Sequence, residues 1–143
     1  MERKDKKILV VDDDSFSSAL LSRQLQTEGH EKIECATDGS EALRLLEAHA
    51  DYDLVLLDII MPGMSGIEVL QKIKSDQRLR NIPVIMLSGV EDMDVITESL
   101  QHGADDYIAK PFNQSLLRAR TLASLERKHL RDELLKIKPE ADG

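Results

Sequence analysis

The sequence predicts an α/β fold built on a parallel β-sheet with helices on both faces. Three observations predict it: five strand-length apolar runs, segments of helical periodicity after each run, and the continuous Val/Ile/Leu character of three runs. Continuous apolar runs are typical of parallel strands that are covered on both sides. Alternation of strands and helices implies right-handed crossovers. With 143 residues, the chain is expected to form one domain with a sizeable core.

The apolar runs are the predicted strands. They are Ile8–Val11, Ile33–Ala36, Leu54–Leu57, Val84–Leu87 and Tyr107–Ala109. The second run and the residues before it alternate polar and apolar side chains, which indicates an edge strand with one face in water. Cys35 lies in this run, and we expect a small buried side chain there rather than a redox sensor.

Four helices are predicted between the runs, because apolar residues recur there every three or four positions. These residues are Leu21 and Leu25; Ala42, Leu43 and Leu46; Ile67, Leu70 and Ile73; and Met93, Ile96 and Leu100. Boundary signals agree with this assignment: Asp14 or Ser15 caps the first helix, Asp92 the fourth, Gly29 and Gly103 end helices, and Pro62-Gly63 with Ser65-Gly66 forms a turn-rich loop.

A fifth, extended helix is predicted from about Gln114 to Lys138, because this stretch contains no Gly or Pro. At 1.5 Å per residue it would be roughly 37 Å long, more than the core requires. Leu130, Leu134 and Ile137 step by four and three, and Ala123 lies one heptad before Leu130. Two heptads are compatible with a short coiled coil and equally with a solvated helix extension.

Composition excludes several classes of function. The net charge of −8 disfavours nonspecific binding to nucleic acid or to an anionic membrane, and 3% aromatic residues disfavour base-stacking modules. A single cysteine excludes an internal disulfide framework and a Cys-based zinc site. No apolar run is long enough for a membrane span or a signal peptide, so we expect a cytoplasmic protein. The charge is uneven: residues 113–138 carry 7 basic and 3 acidic side chains.

Polar side chains follow four of the predicted strands. Asp12-Asp13-Asp14 follows the first strand, Asp58 the third, Ser88 the fourth and Lys110 the fifth. The carboxyl ends of parallel strands share one sheet edge, where sites of such folds lie. Carboxylates without nearby His or Cys suit a hard cation such as Mg²⁺. We assign Asp14 to the helix cap and Asp12 and Asp13 to the metal; a carboxylate beside such an ion is a plausible nucleophile toward phosphorus.

Four segments resemble the receiver domain of two-component response regulators, the CheY-like superfamily. They are Ile8–Asp14, Asp58–Gly66, Val84–Gly89 and Gly103–Phe112, and they occur in order at the right separations. The resemblance covers about residues 5–128. It implies a flavodoxin-like doubly wound (βα)5 fold with sheet order 2-1-3-4-5. We therefore divide the chain into a receiver domain at 5–128 and a helical extension or linker with a disordered tail at 129–143.

The resemblance also implies roles for single residues. Asp58 would accept a phosphoryl group from a histidine kinase or a histidine phosphotransfer protein. Mg²⁺ would be held by Asp13 and Asp58, with Asp12 acting through water and the backbone carbonyl of Ile60 as a further ligand.

Lys110, in a Lys-Pro bond that is usually cis, would pair first with the acids and then with the phosphate. Ser88 would turn inward to bond the phosphoryl group, and Tyr107 would follow from outside to inside. The readout face would comprise the fourth helix, the fifth strand and the fifth helix. The partner beyond it would be an output domain, another protein or a second copy held through the C-terminal helix.

Ile60 and Val90 depart from the pattern of fast-cycling members, because neither side chain can orient a water molecule for attack on the phosphoryl group. We therefore expect slow self-dephosphorylation, in a signalling module that is not a turnover enzyme. Two alternatives are a Mg²⁺-dependent phosphohydrolase with Asp12 as nucleophile and Asp14 as acid/base, and a receiver-like interaction domain that never takes phosphate. A flavin-binding role is not supported, because no Ser/Thr-rich phosphate loop follows the first strand in the sequence.

Overall fold

The computed structural model describes residues 1–89 and 93–137. Five parallel strands form one sheet in the order β2-β1-β3-β4-β5, as the resemblance implies. Their bounds are β1 Lys7–Val11, β2 Lys32–Ala36, β3 Leu54–Asp58, β4 Val84–Ser88 and β5 Asp106–Ala109. Each strand is one residue longer than predicted. β3 and β4 gain their last residues because Asp58 pairs with Leu87 and Ser88 with Ala109.

Five α-helices follow the strands. They are α1 Ser15–Thr27, α2 Gly39–Ala48, α3 Gly66–Ser75, α4 Met93–Gln101 and α5 Gln114–Ile137, and a short 3-10 turn, Arg3–Asp5, precedes β1. Among the described residues, no helix combines the length and the hydrophobicity that crossing a membrane requires.

Alternate strand residues form two cores, one on each face of the sheet. On one face, Leu9, Val55 and Met86 pack with residues of α2 and α3 such as Leu46 and Leu70. On the other face, strand residues pack with α1 and α5: Ile8, Val10, Leu54, Leu56, Ile85 and Leu87 with Leu21, Leu25, Leu117 and Leu125. This coverage of both faces confirms the predicted architecture and explains why the runs Ile8–Val11, Leu54–Leu57 and Val84–Leu87 are continuously apolar.

The capping signals place the helix ends that frame the loops. Asp14 is the N-cap of α1 and accepts hydrogen bonds from the backbone N–H of Phe16 and Ser17. Gly29 and Gly103 adopt positive φ angles of 95° and 100° two residues after the last residues of α1 and α4, as predicted for helix-ending glycines. The predicted cap Asp92, the position of Val90 and the predicted helix end Lys138 lie outside the described residues.

The expectation that Cys35 is buried is wrong. Its side chain is exposed, with Sγ 3.3 Å from Oγ of Ser22. β2 is an edge strand, as predicted, and only Ala36 of its five residues is fully buried. Cys35 lies on the same face of β2 as Ile33, which packs only partly against the core between the sheet and α1, so its exposure reflects the incomplete cover of this edge strand.

The C-terminal helix stays in contact with the domain well beyond its first turns. Nζ of Lys128 lies 3.1 Å from Oδ1 of Asp53, just before β3. Arg131 donates a hydrogen bond of 3.0 Å to the carbonyl of Asn81, just before β4. Because α5 is continuous across residue 128, the division into 5–128 and 129–143 stays a prediction.

Replacing His30 should reduce the dependence of stability on pH. His30 is 2% exposed, and its Nδ1 has no hydrogen-bond partner among the described residues. Burial lowers the pKa of His30 below its ordinary value of 6.5. The unfolded chain therefore binds a proton that the folded chain does not, so stability is fully present above pH 6.5 and is lost as the pH falls through the native pKa.

Urea denaturation of wild type and His30→Gln between pH 5 and pH 8 tests this expectation. The wild-type curve should be steeper on the acidic side, by at most about 1.4 kcal/mol per pH unit for one proton. His49→Gln is the matched control, because His49 is exposed. Parallel curves for wild type and His30→Gln would contradict the prediction.

Candidate functional site

The strand ends place four polar side chains at one edge of the sheet. Asp12 follows β1, Asp58 and Ser88 end β3 and β4, and Lys110 follows β5. Backbone hydrogen bonds continue the sheet around them: the N–H of Asp12 donates to Ala36 at 3.1 Å, and that of Lys110 donates to Ser88 at 2.7 Å. The positions of these side chains are therefore determined by strand register, and the structure brings together the residues that the strand-end argument selected.

Lys110 bridges two carboxylates. Its Nζ lies 2.9 Å from Oδ2 of Asp12 and 3.3 Å from Oδ2 of Asp58. Asp12 is 1% exposed and Asp58 6% exposed, so both charges are largely removed from water. An ammonium group at hydrogen-bond distance offsets part of the repulsion between two buried acids. The peptide bond between Lys110 and Pro111 is cis, as the resemblance implies.

Three carboxylates form a potential metal site. Oxygen atoms of Asp12, Asp13 and Asp58 all lie within 4.8 Å of one another. Asp13 is exposed, whereas the other two are buried, so the cluster opens to solvent on one side. An all-oxygen donor set with several negative charges fits Mg²⁺, which keeps part of its water shell. Ile60, whose carbonyl the resemblance adds to the ligands, follows in the β3–α3 loop, and its side chain is 66% exposed.

The charges of the site shift the pKa values of two groups. Burial raises the pKa of Asp58 to about 6, and the negative charge of Asp12 adds to this effect, although Lys110 acts in the opposite direction. Burial alone would lower the pKa of Lys110, but its hydrogen bond to Asp12 and the charge of Asp58 outweigh burial and raise it. Lys110 thus stays protonated, and the site carries excess negative charge that a divalent cation can neutralise.

The carboxylate of Asp14 caps helix α1 and does not belong to the cluster of Asp12, Asp13 and Asp58. Its Oδ1 accepts hydrogen bonds of 2.9 Å from the N–H of Phe16 and 3.5 Å from that of Ser17. Asp12 in turn accepts a 2.9 Å hydrogen bond from the backbone N–H of Asp14 through Oδ1. The consecutive acids therefore divide between a cap and the carboxylate cluster.

Sequence reasoning missed the structural role of Gly66. A Cβ atom on Gly66 would lie 2.1 Å from the carbonyl oxygen of Asp58 and 2.7 Å from Cα of Ile59. The N–H of Gly66 also donates a 2.8 Å hydrogen bond to the carbonyl of Ile59. The start of α3 therefore packs directly against the backbone of Asp58 and Ile59. The Ser65-Gly66 pair was the available signal, but it indicated only a turn.

Sequence reasoning also missed a contact of Tyr107. This side chain is half-buried, and the guanidinium of Arg120 lies 5.1 Å from the centre of its ring. Arg120 also donates a hydrogen bond to the carbonyl of Tyr107, and its Nε lies 3.6 Å from Oδ2 of Asp106. These contacts join α5 to β5. The basic character of residues 113–138 gave no sign of which arginine makes them.

Fold and site define a class of protein: a doubly wound α/β domain with an acidic cluster and a lysine at the carboxyl edge of its sheet. The family model for the response regulator receiver domain matches residues 8–122. The chain therefore belongs to the response regulator receiver family.

Known relatives agree with this assignment. The chain is 42% identical over 121 residues to the uncharacterized transcriptional regulatory protein YrkP of Bacillus subtilis, covering 85% of this chain and 50% of that protein. It is 36% identical over 124 residues to the chemotaxis protein CheY-3 of Vibrio cholerae, covering 87% of this chain and 95% of that protein. The chain thus spans a whole CheY-type protein but about half the length of the transcriptional regulator.

A solved structure shows the same fold. The receiver domain of NtrX from Brucella abortus superposes with a TM-score of 0.77 at 34% identity, covering 84% of this chain and 98% of that domain. This similarity confirms the flavodoxin-like topology that the resemblance implies.

Proposed function

We propose that this chain is a phosphorylation-switched signalling domain in which Asp58 is the phosphoacceptor. The observation that supports it most directly is the bridge from Lys110 to both Asp12 and Asp58 within a cluster of three carboxylates. The phosphoryl donor would be a histidine kinase or a histidine phosphotransfer protein. The chain would act as a signalling module and not as an enzyme with turnover. We place it in the cytoplasm, with no direct contact to membrane or nucleic acid.

The proposed reaction forms one bond and breaks one. A carboxylate oxygen of Asp58 attacks phosphorus in line, the bond from phosphorus to the donor's leaving nitrogen or oxygen breaks, and the leaving group takes the electron pair. Lys110 would neutralise negative charge on the transferring group, and the hydroxyl of Ser88, 6% exposed at the end of β4, would donate a hydrogen bond to it. Asp12, Asp13, Asp58 and the carbonyl of Ile60 would hold Mg²⁺, which supplies further charge neutralisation.

The switch we propose runs from this site to the face formed by α4, β5 and α5. Ser88 would move toward the phosphoryl group, and Tyr107 would turn inward behind it. Tyr107 contacts Arg120 of α5, so its movement would change the environment of α5 as well as of β5. An output domain or partner protein would read this change.

Phosphorylation of Asp58 is tested by incubating the 143-residue chain with Mg²⁺ and acetyl phosphate. We expect intact mass spectrometry to show one added phosphoryl group, mapped to Asp58, and no adduct in Asp58→Asn. Asp14→Asn is the matched control, because Asp14 caps α1, and it should still be labelled. An undiminished adduct in Asp58→Asn, or no adduct on wild type, would overturn the proposal.

The phosphohydrolase alternative is less consistent with the site. Both oxygens of Asp12 accept hydrogen bonds, one from the N–H of Asp14 and one from Lys110. The carboxylate of Asp14 caps α1 and is not positioned as a general acid or base for Asp12. Phosphosite mapping separates the two functions, since that alternative would label Asp12.

Ile60→Asn should shorten the lifetime of the phosphorylated state. The side chain of Ile60 is 66% exposed and offers no polar group to orient a water molecule, whereas an amide can hold one by hydrogen bonds. We expect a roughly tenfold or larger increase in the dephosphorylation rate, measured by loss of the adduct after removal of acetyl phosphate. Ile60→Leu is the control. A wild-type rate that already equals that of Ile60→Asn would refute the expectation.

A further inference from the structure

Arg120 reaches from one face of the sheet to the other around the outer edge of β5. Its helix, α5, covers one face, where Leu117 and Leu125 pack with strand residues. The side chain of Tyr107 packs partly against the core on the opposite face, which α2 and α3 cover. Because β5 is the last strand of the sheet, a long side chain of α5 can pass its edge. The guanidinium of Arg120 accordingly lies 5.1 Å from the centre of the Tyr107 ring.

The backbone of Tyr107 is held at the same edge. Its N–H donates a 2.8 Å hydrogen bond to Oδ1 of Asp106, and its carbonyl accepts a hydrogen bond from Arg120. An edge strand presents backbone groups on the side where no neighbouring strand pairs with them. Asp106 and Arg120 supply partners for these groups, so the backbone from which the Tyr107 ring projects is fixed.

Asp106 also fixes the guanidinium of Arg120. Nε of Arg120 lies 3.6 Å from Oδ2 of Asp106, and the two side chains are only 27% and 31% exposed. A guanidinium is planar, so it can stack on an aromatic ring while its N–H groups bind a carboxylate and a carbonyl. Partial burial strengthens the attraction between this cation and the ring. Arg120 therefore contacts the ring, the backbone and the neighbouring acid of Tyr107 at once.

We propose that Arg120 is a positioning residue that holds the ring of Tyr107 in its present place and thereby biases the domain toward the unphosphorylated state. This rests on the proposed function, in which Tyr107 turns inward after Asp58 is phosphorylated. Turning the ring away would break its contact with the guanidinium, so the contact stabilises only the starting position. A contact made in one of two states shifts the balance between them toward that state, and phosphorylation has to overcome the difference.

The rotamer of Tyr107 tests the restraint in the unmodified chain. The chain has two tyrosines, and Tyr52 is fully buried, so Tyr52 is an internal reference. Three-bond NMR couplings in 13C,15N-labelled protein report the populations of the staggered χ1 rotamers. Tyr107 should occupy one rotamer in wild type and at least two in Arg120→Gln. Arg118→Gln is the matched control, because Arg118 is an exposed residue of the same helix.

A single, unchanged rotamer of Tyr107 in Arg120→Gln would overturn the proposal. This measurement needs no phosphoryl group, so it decides the restraint even if Asp58 is not the phosphoacceptor.

Titration calorimetry with beryllofluoride, a stable mimic of a phosphoryl group, tests the bias in the presence of Mg²⁺. Arg120→Gln should bind it about three- to fivefold more tightly than wild type, the ratio expected from the loss of one partly exposed cation–π contact. Arg118→Gln removes the same charge from α5 and should bind like wild type. Equal affinities of Arg120→Gln and Arg118→Gln would overturn the bias, whereas a wild type that binds no beryllofluoride would refute the proposed function and the bias with it.

A double-mutant cycle separates positioning of the ring from closure of the strand edge. In a Tyr107→Leu background the ring is gone, but Arg120 can still bind Asp106 and the backbone carbonyl at position 107. Arg120→Gln should therefore leave the affinity for beryllofluoride unchanged in this background. A role that consists only of closing the edge of β5 would give the same three- to fivefold effect with and without the ring, and that result would contradict the proposal.

Discussion

Without divalent cations, the Asp58→Asn variant should be more stable than wild type at pH 7, by about 2 kcal/mol. Burial and the charge of Asp12 raise the pKa of Asp58 to about 6, so ionised Asp58 destabilises the folded state. A difference of one between the pKa of a group in the folded state and its pKa in the unfolded state corresponds to about 1.4 kcal/mol of stability. Structural relaxation around the charge makes the expected difference in stability smaller than the full pKa difference would give. Asparagine keeps the shape of the side chain and removes the charge.

The pH dependence of this difference has a definite sign. The native pKa of Asp58 lies above its ordinary value of 3.8, so the native state binds the proton more tightly than the unfolded state does. The stabilising effect of that proton is fully present below pH 3.8 and is lost as the pH rises through about 6. The difference in the free energy of unfolding between Asp58→Asn and wild type should therefore grow between pH 3.8 and about pH 6 and stay constant at higher pH.

Adding Mg²⁺ should reverse the order of stability. A ligand that binds only the folded state stabilises it in proportion to the logarithm of its concentration above Kd. Wild type should gain more stability from Mg²⁺ than Asp58→Asn does. It has three carboxylates whose oxygens lie within 4.8 Å of one another, and the variant lacks one of them. Thermal denaturation with EDTA and then with millimolar Mg²⁺ measures both effects. Equal melting temperatures of the two proteins in EDTA would contradict the charge argument.

Gly66→Ala should destabilise the domain by about 3 kcal/mol and disturb the site. The added methyl group would meet the carbonyl oxygen of Asp58 at 2.1 Å, and this oxygen is backbone, which no change of rotamer can move. Either α3 shifts away from β3, or the end of β3 moves and carries Asp58 with it. Urea denaturation measures the loss of stability, and acetyl phosphate labelling should fall in the same variant.

Gly89→Ala is the control for Gly66→Ala. A Cβ atom on Gly89 would meet nothing within 4 Å, so its stability should stay within about 0.5 kcal/mol of wild type. If Gly66→Ala were as stable as Gly89→Ala, the close packing of α3 on the backbone of Asp58 would be refuted.

The fold class and the main site residues follow from sequence, because they rest on local signals. The apolar run before Asp58 and the run before Ser88 are each sufficient to predict a strand, and parallel strands necessarily share an edge. The cap at Asp14 is equally local, since a side-chain oxygen there reaches N–H groups two and three residues ahead. The order of the strands came only from the resemblance to receivers.

Features that depend on distant residues were decided by tertiary structure. The exposure of Cys35, the closeness of Gly66 to Asp58 and the contact of Arg120 with Tyr107 each depend on elements that meet only in the folded chain. The same holds for α5, whose heptad spacing is visible in the sequence although the face that the sheet covers is not. Periodicity reports how side chains repeat along one element, whereas burial is determined by the element that packs against it.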